Sequence, residues 1–116
     1  MHVFKAKVIS GRGRGRQIGF PTANLNQTDL PLDYGVYLVA VKLNKKIYQG
    51  LMHYGLKRTF NEMVSCEIHL KNFHDNIYGR TLEVEAIRKI REVKKFSGVP
   101  ALKKQIKKDL MELDKS

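Results

Sequence analysis

Gly11, Gly13, Gly15 and Gly19 are interleaved with Arg12, Arg14 and Arg16 and run into Pro21-Thr22-Ala23-Asn24. Glycines leave backbone N–H groups unencumbered and arginines bring positive charge. A Thr hydroxyl and an Asn amide oxygen two residues apart offer hard oxygens to a cation. Such a segment could wrap a phosphate chain and hold the metal that accompanies it. Alone, the glycine–arginine run fits a flexible linker or an RNA contact equally well, and Thr22 to Asn24 also fits an Asx-type turn after proline. It is not a Walker A sequence, because no Lys-Ser or Lys-Thr follows the glycines and the run meets a proline rather than a helix.

A second candidate lies in "VSCEIHL", Val64 to Leu70. The alternation puts Val64, Cys66, Ile68 and Leu70 on one face of a strand and Ser65, Glu67 and His69 on the other. Glu67 thus points away from the apolar face, where a carboxylate can act as general base in a polar cleft or simply stay solvated. His69 shares that face and is assigned no role. The four histidines and the single Cys66 show no zinc-ligand spacing, and neither Gly-x-Ser-x-Gly nor a Cys-His pairing points to acyl transfer.

These residues need a scaffold. Positions 2–9 alternate loosely with β-branched and aromatic residues and read as a strand, whereas 10–34 hold no sustained period. Runs from Tyr34 to Leu43 and from Lys46 to Met52, separated only by Asn44 and Lys45, predict a tight hairpin. Further strands are expected over 64–70 and 81–90. Val99, Leu102, Ile106, Leu110 and Leu113 then fall at helical spacing, with Pro100 in the first turn, so a helix over about 98–114 is expected. Its Lys103, Lys104, Lys107 and Lys108 take the opposite face, as a solvated surface or a nucleic-acid patch. Short strands followed by one helix suggest a small antiparallel barrel capped by that helix.

A chain of 116 residues suits one domain. No apolar run approaches the roughly 18 residues of a membrane span and the start lacks a secretory h-region, so a cytoplasmic protein with no membrane partner is expected. The charge of +11, from 22 Lys and Arg against 11 Asp and Glu, favours polyanions such as nucleotides or RNA.

In order along almost the whole chain, "GRGRGRQIGFPTANL", "LPLDYGVYLVAV", "SCEIHL", "DNIYGRTLEV" and "KKFSGVPALKKQIKKDL" resemble the riboflavin kinase family. The resemblance implies a mainly β fold: one domain over 1–116, a six-stranded antiparallel Greek-key barrel with a C-terminal amphipathic helix. The implied reaction moves the γ-phosphoryl of ATP to the ribityl 5′-hydroxyl of riboflavin with Mg²⁺ as cofactor, giving FMN and ADP. Bifunctional bacterial members also carry an adenylyltransferase module; this chain matches the kinase alone, or a piece that holds it. The expected partners are ATP and riboflavin, with RNA secondary, and a monomer is expected. Residue by residue, Glu67 matches the catalytic base, and Thr22 and Asn24 match the metal and phosphate ligands. Gly11, Gly13, Gly15, Arg16, Gly19, Leu70, Asn72 and Tyr78 match further ATP contacts, and Arg91, Lys94 and Phe96 match flavin contacts. The chain departs from the family pattern at His53, Arg58, Glu92 and Val93. Those departures and the charge leave an alternative reading, a basic flavin- or RNA-binding regulatory module on the same fold with weakened chemistry.

Overall fold

Asn44 and Lys45 both take positive φ, 53° and 67°, the backbone of a two-residue type I′ turn whose twist matches that of the strands it joins. The hairpin expected there forms, with Leu43 opposite Lys46, and Arg80 donates a hydrogen bond from its guanidinium to the Asn44 side-chain oxygen. The computed structural model describes residues 2–10, 23–56, 63–71, 73, 77–93 and 99–114. Six strands run β1 (His2–Ser10), β2 (Ala23–Leu25), β3 (Gly35–Leu43), β4 (Lys46–Leu56), β5 (Val64–Leu70) and β6 (Thr81–Arg91), followed by helix α1 (Val99–Asp114).

All pairings are antiparallel and the sheet closes on itself in the order β1-β2-β5-β4-β3-β6. The meander β3-β4-β5 has β6 returning beside β3, which is the Greek-key connection. Closure leaves no long edge to pair with another chain. β4 runs past Met52 to Leu56, because Tyr54 continues the inward alternation and Gly55 takes a φ of 148° that side chains rarely adopt. β2 is a strand that periodicity does not reveal, since three residues are too short to show a period.

The barrel interior is filled by alternate residues, among them Val8, Leu25, Val39, Val41, Met52, Cys66, Ile68, Leu82 and Val84. A second, outer cluster of Val36, Leu38 and Leu51 is covered by Ile90 and by Leu110 of α1. The first half of β3 is therefore apolar on both faces, which explains its nearly continuous hydrophobic run. Lys103, Lys104, Lys107 and Lys108 lie exposed on α1. The connection between β2 and β3 is pinned to the barrel by tyrosines. Tyr54 accepts a hydrogen bond from the Leu30 N–H at 2.9 Å, and the Tyr37 O–H donates to the Asp33 carbonyl at 2.7 Å. Among the described residues no helix is long and apolar enough to cross a membrane.

Candidate active site

Asn24 on β2 stands directly opposite Glu67 on β5. On the other side of Glu67 the partner is His53 on β4. The row continues through Val36 on β3 to Arg91 at the end of β6. Opposed residues of an antiparallel pair share a face, with β carbons about 4.5–5.5 Å apart. Cys66 and Ile68 fill the interior, so Asn24, Glu67 and His53 form a polar row on the outer face of the barrel. The alternation in β5 thus decides which way Glu67 points, and pairing with the short β2 brings Asn24 beside it.

Glu67 is half-buried and His53 buried. The Asn24 side-chain oxygen is buried and has no hydrogen-bond partner; the same holds for the Ser65 hydroxyl. A buried amide oxygen that accepts no hydrogen bond is a suitable ligand for a hard cation such as Mg²⁺. Among the described residues no group of three or more His, Cys, Asp or Glu is arranged to hold a metal.

The remaining sequence-derived positions are dispersed. Leu70 lies in the barrel interior opposite Gly50, where an added β carbon would stand 2.6 Å from the His69 carbonyl oxygen. Tyr78 is 64% exposed in the turn before β6, and the adjacent Gly79 N–H donates to the Val8 carbonyl. Arg91 grips α1: its Nε lies 3.0 Å from Asp109 Oδ1 and its Nη2 2.9 Å from Oδ2, in a pair with side-chain exposures of 13% and 6%. Gln105 donates to the same carboxylate. Gly11, Gly13, Gly15, Arg16, Gly19, Thr22, Asn72, Lys94 and Phe96 lie outside the described residues. Sequence reasoning gave no role to Ser65, although its place two residues before Glu67 put it on the same face, and it had no means of finding the Arg91–Asp109 pair.

The flavokinase (riboflavin kinase) family model matches residues 1–116. This chain belongs to the riboflavin kinase family. It is 39% identical over 117 residues to the bifunctional riboflavin kinase/FMN adenylyltransferase of Bacillus subtilis, covering 96% of this chain and 37% of that one. Identity to the enzyme of the same description from Haemophilus influenzae is 44%, over 90% of this chain and 35% of that one. The RNA-binding riboflavin kinase RibR of Bacillus subtilis is 38% identical over 95% of this chain and 49% of its own length. The chain therefore spans half or less of the length of each of these relatives. A crystal structure from Streptococcus pneumoniae described as a macrolide-efflux protein superposes with a TM-score of 0.82 at 33% identity, over 94% of this chain and 37% of that one. Membership of the riboflavin kinase family agrees with the closed six-stranded barrel and C-terminal helix.

Proposed function

We propose that the chain transfers the γ-phosphoryl group of Mg-ATP to the ribityl 5′-hydroxyl of riboflavin, giving FMN and ADP, as a cytoplasmic monomer. The observation that carries this is the cross-strand pair of Asn24 and Glu67, which sets a buried, unpartnered amide oxygen beside a carboxylate. Phosphoryl transfer depends on alignment and on charge stabilisation more than on covalent chemistry. Glu67 accepts the proton of the 5′-hydroxyl as its oxygen bonds to the γ-phosphorus, and the bond from that phosphorus to the ADP oxygen breaks. Asn24 Oδ1, with Thr22, would hold the magnesium ion, which when bound supplies neutralisation of the β- and γ-phosphate charge. The glycines and Arg16 of the 11–19 segment contribute backbone N–H groups and a cation to the phosphates. The segment from Arg91 through Lys94 and Phe96 contacts the flavin ring.

The test is FMN formation from riboflavin and Mg-ATP by the purified chain. Glu67→Gln is expected to lower kcat by about 10²-fold or more with nucleotide affinity nearly unchanged, because the lost interaction exists only in the transition state. Asn24→Ala is expected to weaken Mg-ATP binding and turnover together. A Glu67→Gln variant that makes FMN at the parent rate would remove Glu67 as the base.

A second reading has its own support. The four exposed lysines of α1, the charge of +11 and the similarity to an RNA-binding riboflavin kinase favour RNA as an additional partner, bound on the exposed lysine face of the helix.

A further inference from the structure

Among the described residues two buried side-chain oxygens lack a hydrogen-bond partner, Asn24 Oδ1 and Ser65 Oγ. Both flank Glu67. Asn24 faces it across the β2–β5 ladder, while Ser65 precedes it by two residues on the same strand face, about 6.6 Å away along β5. A magnesium ion held as proposed above would satisfy Asn24; it would leave Ser65 unpaired. Ser65 is 5% exposed, and an unsatisfied buried hydroxyl costs about 1–3 kcal/mol, which native cores usually avoid.

What lies around Ser65 indicates the kind of ligand. Its partner across the β4–β5 ladder is Gly55, which presents no side chain to it. Tyr34 and Val93 close over that glycine, since an added β carbon would lie 3.0 Å from Val93 Cγ2 and 3.2 Å from Tyr34 Cβ. Val93 follows Arg91 and leads toward residues 94–98. Along the outer face the order is therefore a cation-suited oxygen at Asn24, a proton acceptor at Glu67, a lone hydroxyl at Ser65, and apolar cover from Val93 and from the base of Tyr34, whose ring stands edge-on to Tyr54. A flexible chain bearing hydroxyls, joined to a flat apolar ring at one end and phosphorylated at the other, matches that order.

We infer that Ser65 Oγ hydrogen-bonds an inner hydroxyl of the acceptor's polyol chain while the terminal hydroxyl lies at Glu67, so that Ser65 selects acceptors with a hydroxylated chain between ring and phosphorylation point. The inference rests on the kinase reading above and adds a specificity residue to it. A serine hydroxyl donates and accepts at once, which suits a polyol hydroxyl that does the same. Selection by pairing of a buried polar group is stronger than selection by shape, because an acceptor lacking the hydroxyl leaves Ser65 unpaired.

The test compares the parent with Ser65→Ala, using riboflavin and lumiflavin, which carries the flavin ring without the polyol, as probes of binding by flavin fluorescence, together with FMN synthesis. The substitution is expected to raise the Kd and KM for riboflavin by about 3- to 10-fold, the range of one neutral hydrogen bond. Lumiflavin affinity and the KM for ATP should not change. The melting temperature should stay level or rise, as an unsatisfied hydroxyl is removed from the interior. Unchanged riboflavin affinity, or an equal loss for both probes, would overturn the role of Ser65 while FMN synthesis by the parent kept the kinase reading intact. A parent that forms no FMN under conditions where it is folded would overturn the kinase reading and this inference with it.

Discussion

Cys66 sits inside the barrel, fully buried between strands β2 and β4. Burial, with a smaller contribution from the neighbouring Glu67, pushes its thiol from 9.0 up to about 12. The unfolded chain then loses the thiol proton near pH 9 while the native chain keeps it, so stability that is complete below pH 9 falls as the pH rises toward 12. The slope is on the order of 1 kcal/mol per pH unit. Urea midpoints measured at pH 8 and pH 11 should fall more steeply for the parent than for Cys66→Ala, and a thiol reagent should label Cys66 only after unfolding. Equal slopes for the two proteins would mean that the native thiol ionises normally. Burial is also the main cause of the raised Tyr37 phenol, which adds to alkaline lability in both proteins and cancels in the comparison.

Helix α1 is attached to the barrel by two kinds of contact. Leu110 covers the outer apolar cluster of β3 and β4, and Asp109 takes the Arg91 guanidinium in a two-pronged pair. The pair ties the end of β6 to the middle of α1 across residues 92–98, which include Lys94 and Phe96 of the proposed flavin contacts. Removing one member of a buried ion pair leaves the other charge uncompensated, at about 3–5 kcal/mol. Asp109→Ala is therefore expected to lower the urea midpoint sharply, whereas the same change at exposed Lys104 should move it by about 0.5 kcal/mol or less. A midpoint for Asp109→Ala within that small range would show that apolar packing alone holds the helix. The signal for this contact was absent from the sequence, because an aspartate among lysines on a helix reads as part of a solvated face.

For the molecule as a whole, the charge of +11 guarantees some attraction to polyanions, and the question is whether it serves a site. A surface that binds RNA through many lysines releases counterions and loses affinity steeply with salt; a compact nucleotide site depends less on it. Reversal of Lys103, Lys104, Lys107 and Lys108 to Glu should leave FMN synthesis within about twofold, because all four are exposed and surface substitutions usually cost about 0.5 kcal/mol or less, and should remove RNA retained at low salt. Filter binding across a salt series, run beside the FMN assay, would read both. Specific RNA binding that survives physiological salt in a chain that forms no FMN would favour the regulatory reading over the kinase.

Period-two alternation needs only the chain itself, so the faces of β5, the β3–β4 hairpin at Asn44-Lys45 and the amphipathic helix could be read from residue order, as could Glu67 on the face away from Cys66 and Ile68. The closed strand order could not, because pairing joins residues far apart in the chain and the local pattern carries no record of its partner. β2 shows the consequence. Three residues in a stretch without period become a strand only because β1 and β5 supply hydrogen bonds on both sides, and that pairing alone sets Asn24 against Glu67. The sequence named both residues; the ladder made them neighbours. The unpartnered Ser65 hydroxyl and the Arg91–Asp109 pair are likewise tertiary facts, since burial and partnership depend on what the rest of the chain lays over a residue.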